Sequence, residues 1–290
     1  PVRVAVVAHV GTTNLGDEAI LSSALQALRT RLAEPSIRVY SPNPPETMQR
    51  HGVEAVALRS QVIGTARKAQ ATGRDPAAPA AGAAHKRTLT QSLRATVRRI
   101  PLLAPLLRAA IRCMQGVVAV GRESVFIVRS WRRLRGTDML LIAGSNQLED
   151  WFGGPWGYPY TILLWTVLAR AVGARVAFVC VGAGPLNSRL SRWLCVRALA
   201  LASYASFRDA ESLELMRRLG YRGAGEVVPD LAFALELEEP RARPAGARLR
   251  IAINVFPYRD PQYVPNVTDG GVAFAAYVDA IARFVVEASA

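Results

Sequence analysis

The chain has 290 residues, of which 51% are hydrophobic and 20% are charged, a composition that excludes an intrinsically disordered protein. Its three cysteines have no metal-ligand spacing, which argues against a zinc module or a disulfide-built scaffold and leads us to expect a reducing compartment. The net charge of +14 favours an anionic partner, and most of the excess lies in one stretch of the chain.

The first part of the chain is predicted to alternate strands and helices. Short apolar runs rich in β-branched residues predict strands, and apolar residues at helical spacing predict helices. The strands are expected at 2–8, 37–40, 54–58, 139–143, 175–181, 204–208 and 226–228, and the helices at 17–32, 160–172, 188–203 and 210–219. Strands that are apolar throughout and alternate with helices predict an α/β fold, a Rossmann-like parallel sheet covered by helices.

A basic helical insertion is expected between the third and fourth strands, at about 59–135. The stretch from Lys86 to Arg135 holds twelve basic residues and one acidic residue, interleaved with aliphatic residues as in basic amphipathic helices. Two interpretations stay open: contact with an anionic membrane surface, or a helix pair packed on the core with a solvated arginine face. The sequence has no RNP-like, zinc-finger or helix-turn-helix pattern, so nucleic acid is not an expected partner.

Neither a membrane span nor a secretory signal is predicted. The longest uncharged run, 151–169, contains three glycines and two prolines, whereas a span needs about 20 consecutive apolar residues. The first residues lead directly into a strand, without the regions of a signal peptide. We therefore expect a cytoplasmic protein, at most peripheral at the inner face of the membrane.

The domain organisation follows from a charged, proline-containing segment near the end of the chain. We expect a first domain over 1–235, a linker over 236–248, and a second α/β domain over 249–290. One strand at 249–255 and one helix at 272–287 are too little for a separate core, so only the start of that second domain is expected in this chain.

The loops that follow the strands are the expected ligand-binding loops, because ligands of open α/β sheets bind beyond the carboxyl ends of the strands. The first of them carries Gly11, Thr12, Asn14 and Gly16 directly before a helix, where free backbone N–H groups and the helix dipole favour anions. It matches neither GxGxxG nor a Walker A motif. Asp17, at the helix start, is either an acid/base group or a capping carboxylate, as is the neighbouring Glu18.

Two later loops offer further candidates. Gly182 and Gly184 form a Gly-x-Gly-Pro turn that either lets a ligand approach the backbone or simply turns the chain. Arg208 ends a strand and is expected to grip a phosphate or carboxylate; the alternative is a structural ion pair with Asp209 or Asp230.

The remaining polar candidates are few. His9 ends the first strand and is expected to reach the crevice, but the three histidines have no spacing for a metal site, and no nucleophile motif is present. The aromatic residues of WFGGPWGYPY, 151–160, form either a sugar-stacking wall or packing for the next helix. No metal site is predicted.

Six motifs in order resemble the polysaccharide pyruvyl transferase family: GTTNLGDEAIL, LLIAGSNQLED, GGPWGYPY, VAFVCVGAGPL, FRDAESLELMRRLG and VVPDLAFAL. The resemblance covers Val2 to about Leu235 apart from the insertion. It implies a GT-B-like arrangement of two Rossmann-like domains. It also implies transfer of a pyruvyl group from phosphoenolpyruvate to a sugar of a cell-surface polysaccharide, such as an exopolysaccharide or cell-wall polymer, or of its lipid-linked precursor, forming a ketal. No cofactor is implied beyond this donor substrate.

The resemblance matches Asn14, Gly16 and Asp17 to the family's N-terminal loop, Gly182, Gly184 and Pro185 to its Gly-x-Gly-Pro turn, and Arg208, Asp209 and Ser212 to its Arg-Asp-x-x-Ser segment. The roles that follow are a hypothesis from the chemistry of the reaction. The expected catalytic residues are Asp17 for the sugar hydroxyl protons and Arg208 for the donor, with His9 in reserve. The expected substrate-binding residues are Gly11, Thr12, Asn14, Gly16, Gly144, Asn146, Gln147, Gly182, Gly184, Arg208 and Ser212. The family commonly has a glycine run where this chain has AGSN, and its second domain supplies basic residues, including a histidine, for which this chain shows no equivalent.

Two other functions stay open at this point. One is a GT-B glycosyltransferase that uses a nucleotide sugar, since fold alone does not fix function. The other is a catalytically silent relative that binds membranes or partners. The sequence leaves the acceptor sugar, the linkage and the oligomeric state open, a homo-oligomer included.

Overall fold

A computed structural model of the chain describes residues 1–11, 14–60, 104–151, 153–237, 251–253, 255 and 270–289. The chain divides into two compact units, Pro1–Leu237 and Glu238–Ala290. No helix in these described ranges is long and apolar enough to cross a membrane.

The first unit alternates strands with helices along most of its length. Its elements are β1 (Arg3–Val7), α1 (Leu15–Arg31), β2 (Ser36–Ser41), α2 (Pro44–His51), β3 (Glu54–Ala57), α3 (Ala104–Leu134), β4 (Met139–Ala143), α4 (Tyr158–Ala171), β5 (Arg175–Val181), α5 (Arg189–Ala200), β6 (Tyr204–Phe207), α6 (Ala210–Arg218) and β7 (Glu226–Val227). Two 3₁₀ turns lie at Gly154–Trp156 and Leu231–Ala234, and the second unit contributes α7 (Gly270–Ser289).

The seven strands form one sheet in the order β3-β2-β1-β4-β5-β6-β7, and every paired neighbour is parallel. The predicted α/β fold is therefore confirmed. The chain moves outward from β1 in one direction to β2 and β3, and in the other direction from β4 to β7. This reversal creates a switch point between β1 and β4, where open α/β sheets bind their ligands.

The core occupies both faces of the sheet, because side chains of a strand alternate between faces. On β1, Val4 and Val6 join the cluster that contains the apolar side of α1, whereas Ala5 and Val7 join the cluster on the opposite face. The largest side chain of that second cluster is Trp165 of α4, which is fully buried and donates its indole N–H to the Leu58 carbonyl at 3.0 Å. The two layers fix the strand ends that carry the site.

Two features of the chain differ from the sequence-based prediction. The strand expected at 249–255 is wrong for the residues described there, since 251–253 and 255 lie in no strand and have no ladder partner among the described residues. Conversely, α2 was not predicted, because PPETMQRH has no apolar stripe. It forms because proline suits the first helical turn and Gly52 ends the helix in a left-handed conformation at φ 60°.

The predicted basic insertion is helical from Ala104 to Leu134. Its later part is α3, while 61–103, including the first basic residues of the Lys86–Arg135 stretch, lie outside the described residues. The helix predicted at 272–287 corresponds to α7.

Candidate active site

The candidate site lies at the carboxyl edge of the sheet, on both sides of the switch point. His9 follows β1, the loop 144–150 follows β4, the turn 182–185 follows β5, and Arg208 follows β6. The N-terminus of α1 faces the same edge because its Asp17 interacts electrostatically with His9 and hydrogen-bonds Ser145. Thr12 lies outside the described residues.

The start of α1 places one carboxyl group in the crevice. The Asn14 side chain accepts the Gly16 N–H at 3.1 Å, so Asn14 is the capping residue, and its Nδ2 donates to Asp17 Oδ2 at 2.8 Å. Burial raises the pKa of Asp17, while hydrogen bonds from Ser145 and Asn14 and the charge of His9 act in the opposite direction. Asp17 is thus a buried carboxyl held by hydrogen bonds, and no lysine or arginine in the described ranges forms an ion pair with it.

Glu18 anchors the glycine loop instead of facing a ligand. Its Oε1 accepts the Gly11 N–H at 2.8 Å, and its Oε2 lies 2.7 Å from His51 Nε2 and 3.8 Å from Arg50 Nε. The side chains of Glu18 and His51 are both almost fully buried. Glu18 therefore ties the loop and α1 to the C-terminal end of α2, and the cap of α1 is Asn14 rather than Glu18.

His9 is paired with a tyrosine that the sequence analysis did not single out. The hydroxyl of Tyr158, at the start of α4, hydrogen-bonds His9 Nδ1, and the two rings meet edge to face with centroids 5.0 Å apart. Burial lowers the pKa of His9, although the charges of Asp17 and Glu18 act to raise it, and burial raises the pKa of Tyr158 well above its usual value. Burial therefore favours the uncharged form of both groups.

Arg208 is half-buried and lies between two acidic partners. Its Nε is 3.3 Å from Asp209 Oδ2, and its Nη1 is 3.7 Å from Asp230 Oδ2. Both ion pairs considered from the sequence are present, yet both acids also cap helices, Asp209 at Ser212 N and Asp230 at Ala232 N. The side chain of Arg208 keeps 32% of its surface exposed, so the guanidinium is held in place and still accessible.

The two glycines of the Gly-x-Gly turn make room for polar side chains. A Cβ on Gly182 would lie 2.7 Å from Arg208 Nε and would also collide with Asn146 Oδ1. A Cβ on Gly184 would lie 2.8 Å from Glu149 Oε2. The turn therefore brings groups from the β4 and β6 loops over the end of β5.

Two predicted substrate contacts hold the loops instead. Gln147 is 2% exposed and its Nε2 donates to the carbonyls of Ala143 and Gly144, at 2.9 and 3.2 Å. Ser212 is also 2% exposed, and its hydroxyl accepts the Ala183 N–H at 2.9 Å. Both side chains therefore act on the backbone of the site.

The loop after β4 also shows why a glycine follows the strand. Gly144 has φ +46°, and a Cβ there would lie 2.6 Å from Ile20 Cγ2 of α1. The close approach lets the loop pass directly over the start of α1. Asn146, which follows, is exposed and remains available to a ligand.

Glu149 is a site residue that the sequence analysis missed. Burial raises the pKa of its carboxyl to about 7, with Arg208 lowering it and Asp150 and Asp17 raising it further. At its neighbour Asp150, burial also acts upward, but N–H groups of Ser188 and Asn187 donate to the carboxylate and hold its pKa below the usual value. No sequence pattern separates these adjacent acids; only their hydrogen bonds do.

The aromatic segment divides into buried and exposed members. Tyr158 is 5% exposed and contacts His9, so it packs at the site, whereas Trp151 and Trp156 are 54% and 64% exposed. The two tryptophans are the residues of this segment that present a surface suited to stacking on a sugar.

A metal centre is not built by the residues that the structure describes. Among them, no group of three His, Cys, Asp or Glu side chains is placed to hold a metal ion. Cys180 and Cys195 are buried and free.

The doubly wound sheet and the polar groups at its switch point define an α/β protein with a ligand crevice at the carboxyl ends of its strands. The model of one family, polysaccharide pyruvyl transferase, matches residues 14–287. The chain belongs to the polysaccharide pyruvyl transferase family and is a transferase. No curated protein and no solved structure matches it.

Proposed function

We propose that the protein transfers a pyruvyl group from phosphoenolpyruvate to a sugar of a polysaccharide or of its lipid-linked precursor, forming a ketal. The observation that carries the proposal is that Glu149, in the loop after β4, interacts electrostatically both with Arg208, at the end of β6, and with Asp17, in α1. A guanidinium can bind an anionic donor, and carboxyl groups of raised pKa near it can exchange protons with the reacting groups.

In the proposed reaction Arg208 binds the phosphate or carboxylate of the donor. A first sugar hydroxyl attacks the carbon that carries the phosphate, and its proton passes to Asp17. The methylene carbon gains a proton and becomes the methyl group. Phosphate then leaves, a second hydroxyl of the same sugar attacks the same carbon, and the ketal closes. The two hydroxyl protons balance the new methyl C–H bond and the protonated phosphate.

Ligand-dependent melting tests the donor class. Phosphoenolpyruvate should raise the melting temperature of the unchanged protein by several degrees, because a ligand at 100 times its Kd stabilises the folded state by about 2.7 kcal/mol. Nucleotide sugars at the same concentration should have no effect, and inorganic phosphate should have a smaller one. A shift with nucleotide sugars and none with phosphoenolpyruvate would instead support a glycosyltransferase.

The acceptor side of the proposal includes an anionic membrane surface that binds α3. The inner side of this helix packs through Phe126, which contacts Trp165 edge to face at 6.2 Å, and Glu123 accepts a hydrogen bond from Tyr160 at 3.2 Å. The opposite side carries exposed aliphatic residues at helical spacing: Met114, Val117, Val118, Val125 and Val128. Exposed arginines lie along it: Arg122, Arg129, Arg132 and Arg133. Exposed aliphatic residues flanked by cations are typical of helices that lie on anionic bilayers.

Vesicle co-sedimentation checks this surface. The protein should bind vesicles containing phosphatidylglycerol and bind phosphatidylcholine vesicles at least tenfold less, and the V118S/V125S variant should lose most of the binding. Val167→Ser, which changes an equally exposed valine on α4, is the matched control and should bind normally. Equal binding to neutral and anionic vesicles would contradict a charge-dependent membrane contact.

A further inference from the structure

Glu149 lies among charged groups but has no direct polar partner among the residues that the structure describes. No hydrogen bond or ion pair joins its carboxylate to another residue in the described part of the chain, whereas Asp150 beside it accepts hydrogen bonds from Asn187 and Ser188. Its side chain lies across Gly184, with Oε2 2.8 Å from the position that a Cβ would take there. A half-buried carboxyl group with free oxygens at the edge of a crevice is available to a ligand.

Four groups face this carboxyl from four elements or loops. Arg208 follows β6, Asp17 belongs to α1, Asp150 belongs to the same loop, and Tyr158 begins α4. Of these four groups, only Arg208 favours the ionised form of Glu149, and its guanidinium also pairs with Asp209 and Asp230. The surroundings therefore favour a neutral carboxylic acid, consistent with a pKa raised by burial to about 7.

We propose that Glu149 is a catalytic acid of the pyruvyl transfer and gives its proton to the methylene carbon of the donor. The inference rests on the proposed function. The O–H bond of the Glu149 carboxyl breaks and a C–H bond forms at the methylene carbon, using the electron pair of the carbon–carbon double bond. The carbon that carries the phosphate then bonds to the sugar hydroxyl, whose proton passes to Asp17. Glu149 is left as a carboxylate beside Arg208. Before the next turnover it is protonated again from solvent, and Asp17 releases the hydroxyl proton to solvent, so the cycle neither gains nor loses a proton at these two residues.

The charge of the donor should couple binding to protonation of this residue. Anionic phosphoenolpyruvate close to Glu149 disfavours the carboxylate, so the bound state holds the proton up to a higher pH than the free state does. Donor binding above pH 7 should therefore take up a proton. This consequence can be measured without an acceptor sugar.

Glu149→Gln separates the chemical step from donor binding, since the amide has the shape of the neutral acid but cannot give up a proton. The rate of the unchanged protein should fall at alkaline pH as Glu149 loses its proton. In E149Q we expect kcat to fall by about 10²–10⁴-fold, the donor Kd to change by less than about threefold, and this alkaline loss of rate to disappear. Calorimetric titration with phosphoenolpyruvate at pH 7.5, in two buffers of different ionisation enthalpy, should show roughly half a proton less uptake in E149Q than in the unchanged protein. Glu214→Gln, at an exposed carboxylate of α6, is the control and should match the unchanged protein.

The possible results distinguish this inference from the proposed function. Full kcat in E149Q, with the alkaline loss of rate intact, would overturn the acid role while the transferase function stands. Equal proton uptake by both proteins would overturn it as well. If the unchanged protein neither binds nor consumes phosphoenolpyruvate, the proposed function fails and the role of Glu149 fails with it. The melting temperature of E149Q above pH 7 should not fall, because the folded state disfavours the charge that the variant removes.

Discussion

Replacing Arg208 by alanine should raise the KM for phosphoenolpyruvate by about 30- to 1,000-fold, while the variant still folds. Charge-assisted hydrogen bonds to a partly desolvated anion contribute about 2–4 kcal/mol, and each 1.4 kcal/mol corresponds to a factor of ten. Arg208 occupies a position that Gly182 leaves open, and Asp209 and Asp230 hold its guanidinium there. Initial rates at several donor concentrations, together with donor titration followed by melting temperature, measure the effect.

Two further variants show whether position as well as charge is required. Arg208→Lys keeps the charge but loses the planar fork, so its KM should lie between those of the unchanged protein and R208A. Gly182→Ala keeps the arginine but its Cβ would displace Arg208, so it should weaken donor binding with little loss of stability. Arg218→Ala removes an exposed arginine of α6 and should have no effect. Donor saturation that is unchanged in R208A would remove Arg208 from the donor site.

The central strands of the sheet, β1, β4, β5 and β6, could be predicted from the sequence because they are mostly buried. A strand such as Met139–Ala143 is continuously apolar and bounded by polar residues, and the structure places β4 at the residues predicted. Since the strands are parallel, the loops after them meet at one edge, and this places Asp17, His9 and Arg208 together. Short polar α2 could not be found this way, because its stability depends on contacts with the sheet and on its end residues.

The roles of Glu149 and Tyr158 depend on burial, which a single sequence does not reveal. Glu149 and Asp150 are adjacent acids, and in the folded loop only Asp150 accepts hydrogen bonds from Asn187 and Ser188.

The backbone at the end of β5 also could not be predicted from the sequence. Cys180 has φ 52°, and the pairing of β5 with β6 shifts its register between Phe178 and Val181. A non-glycine residue adopts that conformation only when its surroundings impose it, here where the chain leads into the Gly182 turn.

Replacing Asp17 by asparagine should lower kcat by about 10²–10⁴-fold and leave the donor KM within a few-fold, because a general base contributes to the chemical step and not to donor binding. As the base, Asp17 must be ionised, so the rate of the unchanged protein should rise with pH through its pKa. Since burial raises that pKa, the rise should lie at higher pH than for an exposed aspartate. The residual rate of D17N should lack this rise. The pH dependence of kcat, measured at saturating donor, tests both statements.

The same variant distinguishes catalysis from structure. Asp17 accepts a hydrogen bond from Asn14, but Asn14 itself caps α1, so D17N keeps the helix start. A carboxyl of raised pKa makes the folded state less stable as pH increases through the raised pKa, so the melting temperature of D17N at pH 8 should equal or exceed that of the unchanged protein. Asp138→Asn, at the opposite end of the sheet, is the control for the rate. If D17N retains the rate and its rise with pH, Asp17 is only a partner of the cap, and the base of the reaction must be sought at His9, which Tyr158 holds beside it.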